Sequence, residues 1–336
     1  MGELTERQKA IATAVVAEHI QTAQPVGSDA LRASHGFSCS SATIRNDMVR
    51  LERAGYLDQP HTSAGRTPLG PAYRLYVDRL RVGSGHLDRD TAWIQGELRR
   101  VAGQPEAAVR LSSGILARVT RYPAIVVAPS ESEKRLVDLS LTPVSARTVL
   151  LSFLDCSGRS EEALLESDAP VTAAEIDRIE ALLRARLLGE DLGAAPPLSE
   201  DDVPDAGLLA GLRRALEDAG GGHVHVEGTT FILDQPEFEE VQRLRRVIGA
   251  LTQSALLRQA LSTAAGSEKP AARIGPEHGI EVLRDCSVVA ASYATADSEG
   301  AIGVLGPMRM HYDVALQMVA TIARHLGQAL SRSRRQ

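Results

Sequence analysis

"SSATIRNDMVRLERAGYL" (residues 40–57) joins a polar opening, a short helix and a turn into an apolar pair. Ile44, Met48 and Leu51 recur at helical spacing and predict one narrow buried stripe. At roughly 100° per residue, the opposite side of this helix collects a different set of side chains. They are Ala42, Asn46, Val49, Arg50 and Arg53. A helix that buries one stripe and presents arginine and asparagine on the other is predicted to contact a second partner.

Capping residues and breakers predict two more helices before this one. Thr5 and Gln8 have the spacing of a capping box, and the helix that they begin stops before Pro25. Ser28 is predicted to cap a short second helix over residues 29–34.

A hairpin is predicted after the third helix. Ser40 or Ser41 caps that helix and Gly55 ends it. The run HTSAGRTP (61–68) is rich in turn residues and has a basic tip, which is typical of a hairpin loop. Three helices followed by a hairpin predict a winged helix-turn-helix.

The chemistry of the third helix suits double-stranded DNA. An α-helix fits the major groove, where arginine pairs with guanine and asparagine with adenine. Small hydroxyl residues at the start of the helix let the backbone approach phosphates. The predicted contacts of the recognition helix are Ser40, Ser41, Thr43, Arg45, Asn46 and Arg50, and those of the wing are His61, Thr62, Ser63 and Arg66.

A solvated helix face is the competing interpretation of the same arginines. Asp47 and Glu52 lie on the same helix and are available to pair with them. Arg53 in particular is open to such pairing, and His61 is equally open to a structural role in the loop. The ordered set of three helices and a basic wing favours the DNA-binding interpretation.

Charge is distributed unevenly along the chain. The 336 residues carry a net charge of −6, yet residues 1–82 hold ten basic and eight acidic side chains. The remaining residues hold 27 basic and 35 acidic side chains. A mildly basic N-terminal unit on an acidic body indicates local binding of an anion. The length predicts two or three domains.

Membrane and secreted proteins do not fit the composition. The chain begins without an apolar h-region, and no apolar run approaches the roughly 18 residues of a membrane helix. The three cysteines are far apart and odd in number, so neither a disulfide framework nor a CxxC zinc site is predicted. We expect a reduced, cytoplasmic protein without membrane contact.

The sequence gives little support for an active site or a metal site. The motifs GxSxG, HExxH, GxxxxGK[ST] and GxGxxG are absent from the sequence. His223 and His225 would share one face of a strand, but no cysteine or carboxylate cluster beyond Glu227 accompanies them. Cys286 precedes an apolar run, which favours a small buried residue over a nucleophile. The sequence predicts no catalytic residue, no metal and no cofactor.

The rest of the chain alternates between helical and strand-like segments. GSGH (83–86) is interpreted as a hinge, and the helical pattern that follows breaks at Pro105. Strands are predicted over 124–128, 136–141, 147–155 and, as the alternating run TTFILD, 229–234. Helices are predicted over 170–219, interrupted by a loop at 193–207, and up to about residue 264. Residues 273–336 are predicted as three strands and a closing helix.

Motifs at both ends of the chain resemble one family. In its N-terminal part the motifs are PVGSDAL (25–31), SSATIRNDM (40–48), LERAGYL (51–57), PHTSAGRTP (60–68) and YRLYVD (73–78). Their order and spacing resemble the heat-inducible transcription repressor HrcA family. RIGPEHG (273–279) and GPMRMHY (306–312) are similar to its C-terminal region, although His278 stands where asparagine is expected. The resemblance covers residues 1–82 and 273–313.

The resemblance implies an α+β multidomain architecture. Residues 1–82 would form the winged helix-turn-helix, 83–165 and 236–336 a GAF-like α/β domain with linker helices, and 166–235 an inserted dimerisation domain. It further implies a homodimeric repressor of heat-shock (chaperone) operons. Such a repressor binds double-stranded DNA at the inverted-repeat operator CIRCE and depends on the GroEL chaperonin for its active fold.

A small-molecule-sensing winged-helix repressor is the alternative function. Glu277, Arg309 and Tyr312 would then line a ligand pocket in the GAF-like domain. In the competing interpretation Arg309 and Tyr312 secure the turn at 306–312 against the sheet.

Overall fold

The computed structural model describes residues 4–61, 64–80, 88–129, 135–156, 158, 160–190, 198–220, 223–265, 269–295 and 298–333. Its helices are α1 (Glu6–Thr22), α2 (Ser28–His35), α3 (Ser41–Arg53), α4 (Gly70–Arg79), α5 (Asp88–Arg100), α6 (Pro105–Thr120), α7 (Ala173–Leu187), α8 (Ala206–Gly220), α9 (Val241–Leu251), α10 (Ser254–Ala264) and α11 (Tyr312–Ser333). Its strands are β1 (Leu57–Asp58), β2 (Thr67–Pro68), β3 (Ala124–Val127), β4 (Leu136–Ser145), β5 (Thr148–Asp155), β6 (Ser160–Glu166), β7 (Val224–Glu227), β8 (Ala271–Ile274), β9 (Cys286–Ala294) and β10 (Glu299–Pro307). The protein is thus a mixture of helices and antiparallel sheets.

The N-terminal module comprises residues 4–80, with helices α1 to α4 and the β1–β2 hairpin. The predicted capping box is confirmed, because the Gln8 amide donates to Thr5 Oγ1 at 3.3 Å and the Thr5 amide to Gln8 Oε1 at 3.0 Å. The hairpin is confirmed as well, with Leu57 opposite Pro68 in an antiparallel pair. Helix α1 packs against α2, α3 and α4. It is therefore the central helix of the module.

The second helix does not begin as predicted. Gly27 occupies the N-cap in an extended conformation with φ −91°, and no side chain caps the helix. Ser28 is instead the first helical residue and is buried. The prediction that Ser28 caps this helix is wrong, because the chain turns into the helix one residue earlier.

A five-stranded antiparallel sheet forms the main body of the protein, in the order β7-β3-β10-β9-β8. Helices cover both faces, α6 and α11 on one and α9 and α10 on the other. Alternate residues of β9 therefore enter different cores: Val289 and Ala291 lie with α11, whereas Val288 and Ala290 lie with α10. This double burial explains why four consecutive residues of the strand, 288–291, are apolar rather than alternating with polar ones. No helix in the described ranges is both long and apolar enough to span a membrane.

An insertion with its own hydrophobic core lies between β3 and β7. It consists of the antiparallel sheet β4-β5-β6, with α7 and α8 packed against one face. Its buried residues run from Leu136 to Ala219. The two ends of the insertion lie next to each other on the five-stranded sheet, because the Ala128 amide donates to the carbonyl of His223 at 2.8 Å. The separate core therefore begins and ends earlier than the predicted limits of 166–235.

Two sequence predictions fail in and after the insertion, and one strand of the insertion was not predicted. TTFILD is a 3-10 helix, Thr229–Asp234, and the strand is the preceding β7. Gly228 ends β7 with φ 72°, and a Cβ there would lie 2.6 Å from Ala117 Cβ. The helix predicted up to residue 264 is two helices, α9 and α10. Strand β6 was not predicted because its sequence, SEEALLE, is largely polar. The predicted hinge at 83–86 lies outside the described residues.

His278 is a buried histidine with a defined hydrogen-bond pattern. The Ile280 amide donates to Nδ1 at 3.2 Å, so Nε2 carries the hydrogen and donates to the Leu283 carbonyl at 2.9 Å. Burial lowers the pKa of His278, and it also lowers the pKa values of His19 and His325. All three histidines therefore favour the neutral form in the folded state.

We expect the free energy of unfolding to decrease as the pH falls below about 6.5, the value of an unfolded histidine. A histidine whose pKa is lowered by folding contributes its full stability above that value. The contribution is lost as the unfolded chain takes up protons that the folded chain does not. His278→Asn removes one such group while keeping a donor and an acceptor. Its free energy of unfolding, measured with urea from about pH 7 to about pH 5, should depend less on pH than that of the wild type.

His223→Asn is the matched control, because His223 is exposed. It shows the effect of the same substitution at an exposed position. If His278→Asn and His223→Asn gave the same slope as the wild type, His278 would not contribute to the pH dependence.

Candidate nucleic-acid interface

Helix α3 begins at a side-chain cap and rests on the module through its apolar stripe. Ser40 Oγ accepts a hydrogen bond from the Thr43 amide at 3.2 Å and lies 2.9 Å from Thr43 Oγ1. Ile44, Met48 and Leu51 are buried, as the spacing predicts. The cap therefore engages the hydroxyls of Ser40 and Thr43 and fixes the start of the helix.

The opposite side of α3 presents polar side chains to solvent. Arg45, Asn46, Arg50 and Arg53 are all exposed. Arg45 and Arg53 make no ion pair or hydrogen bond with any described residue. Their guanidinium donors are therefore available to an external partner, and we name these four residues the α3 outer row.

Asp47 is the polar residue of α3 that faces inward. Its side chain is 2% exposed, and it accepts a hydrogen bond from Arg7 Nε on α1 at 2.7 Å. This bond raises the pKa of the Arg7 guanidinium. Arg50 approaches Asp47 from the same helix at 3.8 Å, so its pairing is the weaker one. The sequence suggested only intrahelical pairing for Asp47, because Arg7 is distant along the chain.

Arg66 connects the hairpin to α3 instead of pointing freely into solvent. Its Nε lies 2.9 Å from Glu52 Oε2, and its side chain is only 12% exposed. Its backbone forms an antiparallel bridge with Val26, with N–O distances of 2.8 and 2.9 Å. His61 is exposed at the start of the loop, whereas Thr62 and Ser63 lie outside the described residues. The hairpin therefore packs against α3 and against the segment before α2.

The residues predicted to line a ligand pocket all contact protein atoms. Tyr312 is fully buried and donates to the Met308 carbonyl at 2.7 Å, and the Ser287 hydroxyl donates to Tyr312 Oη at 2.8 Å. Arg309 pairs with Glu237, and Glu277 pairs with Arg74. The bonds of Tyr312 support its role in securing the 306–312 turn to the sheet.

Of the residues considered for enzyme or metal chemistry, Cys286 is buried and His225 has a partner, whereas His223 is exposed. Burial raises the pKa of the Cys286 thiol to about 12, so it stays protonated. His225 Nε2 lies 3.2 Å from Glu227 Oε1. The described part of the chain contains no group of three or more potential metal ligands.

Gly65 allows the close approach of the hairpin to the segment before α2. A Cβ at this position would lie 2.4 Å from the backbone carbon and oxygen of Val26. Gly65→Ala should therefore separate the hairpin from Val26 and lower the free energy of unfolding by about 1–3 kcal/mol. Urea unfolding measures this change.

Gly70→Ala provides the control, because nothing lies within 4 Å of a Cβ at Gly70. A stability of Gly65→Ala equal to that of Gly70→Ala would contradict the tight docking of the hairpin.

Comparison with known proteins assigns the chain to a family. The family model described as the HrcA protein C terminal domain matches residues 106–316. A protein of Thermobifida fusca is 34% identical over 98% of this chain and 97% of its own length, and one of Halalkalibacterium halodurans is 30% identical over 98% of each chain. Both bear the name heat-inducible transcription repressor HrcA.

A solved structure supports the fold along the whole chain. It is the crystal structure of a hypothetical protein, 23% identical, with a TM-score of 0.59 and coverage of 98% of both chains. At this level of identity the likeness concerns the fold alone. The agreement in sequence over almost the full length shows that the chain belongs to the HrcA family of heat-inducible transcription repressors, which are regulators and not enzymes.

Proposed function

We propose that the chain represses transcription by inserting α3 into the major groove of operator DNA. The observation that carries this proposal is the α3 outer row. Its Asn46, Arg50 and Arg53 lie exposed opposite a buried apolar stripe, and Arg45 is exposed at their flank. Arginine pairs with guanine and asparagine with adenine in that groove. The Arg7–Asp47 pair holds α3 on α1 and thereby limits its rotation.

In this proposal the N-terminal module is a winged helix-turn-helix, in which α2 and α3 form the helix pair and the β1–β2 hairpin forms the wing. Ser41 and the first amides of α3, together with His61, Thr62 and Ser63, would contact phosphates. Ser40 and Thr43 shape the start of α3 through the cap. Arg66 would act by holding the wing against Glu52, because its side chain is largely buried.

The five-stranded sheet with its helices would correspond to the GAF-like domain, and the insertion to the dimerisation domain. The insertion has one sheet face that α7 and α8 leave uncovered. On that face Leu150 lies opposite Leu164 on the neighbouring strand, and Val144 is an exposed apolar residue near the end of β4. Leu164 is 66% exposed and Val144 60% exposed. We name this the outer sheet face and propose that it packs on the same face of a second copy.

Leu164→Glu tests the proposed dimer contact. A carboxylate in the centre of an apolar interface should raise the dimer dissociation constant by about tenfold or more. The fold should be retained, because Leu164 is already exposed in the single chain. Sedimentation equilibrium over a concentration series measures the dissociation constant.

Leu233→Glu is the corresponding control, since Leu233 is 58% exposed outside the insertion. It should dimerise like the wild type. A Leu164→Glu protein that dimerised as tightly as the control would exclude the outer sheet face as the interface.

A homodimer matches an inverted-repeat operator because both are two-fold symmetric. We propose that this operator is the CIRCE element before chaperone genes, and that its occupancy in the cytoplasm excludes RNA polymerase. The need for GroEL to reach the active fold is proposed from the family resemblance. Induction would follow when unfolded proteins occupy the chaperonin and the supply of competent dimer falls.

A binding titration at fixed salt tests the proposed function. It compares an inverted-repeat chaperone-promoter duplex with a scrambled duplex, with and without GroEL treatment of the protein. Preference for the repeat by about a thousandfold is expected for a specific repressor. Arg45→Ala and Asn46→Ala should each weaken repeat binding by about 1–3 kcal/mol and reduce the preference for the repeat.

Arg100→Ala serves as a control for the loss of an exposed arginine, because Arg100 lies on α5 and is 76% exposed. It should bind the repeat like the wild type. Equal, weak binding of the wild type to both duplexes in every condition would contradict the proposed function. Normal binding by Arg45→Ala and Asn46→Ala would contradict the assignment of α3 to the groove.

A further inference from the structure

The N-terminal module is joined to the body by side chains of α4 and by a backbone carbonyl of α1. We name the set Tyr73, Arg74, Glu277, Arg309 and Tyr312, together with Glu237 and the Ile20 carbonyl, the module–body contact. Its members come from α1 and α4 on one side. On the other side they come from the turns after β8, before α9 and after β10 and from the first residue of α11. The contact is therefore built from segments that are distant in sequence.

Arg309 forms the first polar attachment. Its Nη1 donates to the Ile20 carbonyl at 2.9 Å, and its Nε donates to Glu237 Oε1 at 2.5 Å. Ile20 lies in the last turn of α1, where backbone carbonyls lack partners within the helix. A cation at this end is also favoured by the helix dipole. With 12% of its side chain exposed, Arg309 is held in a defined position.

Arg74 forms the second attachment, from α4. Its Nε donates to Glu277 Oε1 at 2.9 Å and its Nη2 to the Ala272 carbonyl at 2.6 Å, while Nη2 also contacts Glu277 Oε2. The Ile274 amide donates to the same carboxylate at 2.9 Å and orients it. A two-pronged arginine–carboxylate pair is directional, so it resists rotation as well as separation.

An apolar contact accompanies the two polar attachments. The rings of Tyr73 on α4 and Tyr312 on α11 have centroids 6.3 Å apart, and both side chains are buried. The buried residues of the module and of the α11 side of the sheet belong to one continuous core. The module is thus packed against the body and not merely tethered to it.

The orientation of α3 relative to the body depends on the module–body contact. Helix α3 packs on α1, and Arg7 and Asp47 fix that packing. Helix α1 in turn is attached to the body through its last turn and through α4. A rotation of the module on the body would therefore turn the outer row of α3 in the dimer.

We propose that Arg309 and the Arg74–Glu277 pair are positioning residues that fix the angle between α3 and the body, so that the dimer accepts one spacing of operator half-sites. This inference rests on the proposed function. DNA turns once in about 10.5 base pairs, so a change in spacing both separates and rotates the half-sites. A dimer with fixed recognition helices loses affinity on such a change, whereas a loosened dimer adapts to it.

Two variants weaken the contact while leaving the α3 outer row intact. Arg309→Met removes the guanidinium donors and keeps much of the apolar stem. Glu277→Gln keeps the shape and removes the charge that Arg74 pairs with, and Glu277 is 32% exposed, which limits the effect on folding. Matched controls are Arg243→Met and Glu281→Gln, because each breaks a surface ion pair within its own segment.

The experiment measures affinities for inverted repeats whose spacer changes by single base pairs, and for a duplex with one half-site. For the wild type, a change of roughly half a turn should weaken binding by about tenfold or more. In Arg309→Met and Glu277→Gln, the ratio of the affinities for the original and the changed spacing should be smaller by about fivefold or more. Their affinity for the single half-site should lie within about twofold of the wild-type affinity. The two controls should keep the wild-type ratio.

The outcomes separate the inference from the proposed function. An unchanged spacing ratio in both folded variants would overturn the positioning role while leaving operator binding in place. An equal loss on all duplexes, including the single half-site, would indicate a purely structural role and would also overturn it. A wild type without preference for any inverted repeat would overturn the proposed function and this inference together.

Discussion

The five-stranded sheet is the constraint on which the other parts of the molecule depend. Its central strands β3, β10 and β9 bury apolar residues on both faces, so both faces must be covered by helices before the sheet is stable in water. Helices α6 and α11 cover one face and α9 and α10 the other. The N-terminal module extends the first of these cores, and the insertion lies between the paired strands β3 and β7. Each remaining unit is therefore attached to an already enclosed sheet.

The sequence predicted correctly those features that depend only on residues close to one another in the chain. The capping box of Thr5 and Gln8 and the stripe of Ile44, Met48 and Leu51 act within one helix, and both are confirmed. The prediction of a strand over TTFILD (229–234) failed because alternating hydrophobicity indicates a strand only where a neighbouring strand provides backbone hydrogen bonds. Gly228 turns the chain away from β3 before that run begins. Strand β6 was missed because its partner β5, and not its composition, makes it a strand.

The candidate site shows the same division between local and distant causes. The exposure of Arg45, Asn46 and Arg50 follows from helical periodicity and could be predicted. The inward position of Asp47 depends on Arg7, and that of Arg66 depends on Glu52, so neither could be read from spacing. The motifs at 73–78 and 306–312 meet in the folded protein. Their arginines and tyrosines are engaged in joining the module to the body.

The neighbouring ends of the insertion have a consequence for the order of folding. Strands β3 and β7 pair although a whole unit with its own core separates them in sequence. Closing a flexible loop costs conformational entropy that grows with its length, by about 0.6 kcal/mol for each doubling. An insertion that has already folded replaces that loop by a compact body with short flanking segments. The route of lowest entropy cost therefore completes the insertion first and closes the edge of the sheet afterwards. We expect contacts so distant in sequence to slow folding and to leave apolar strands open to aggregation until the sheet is closed.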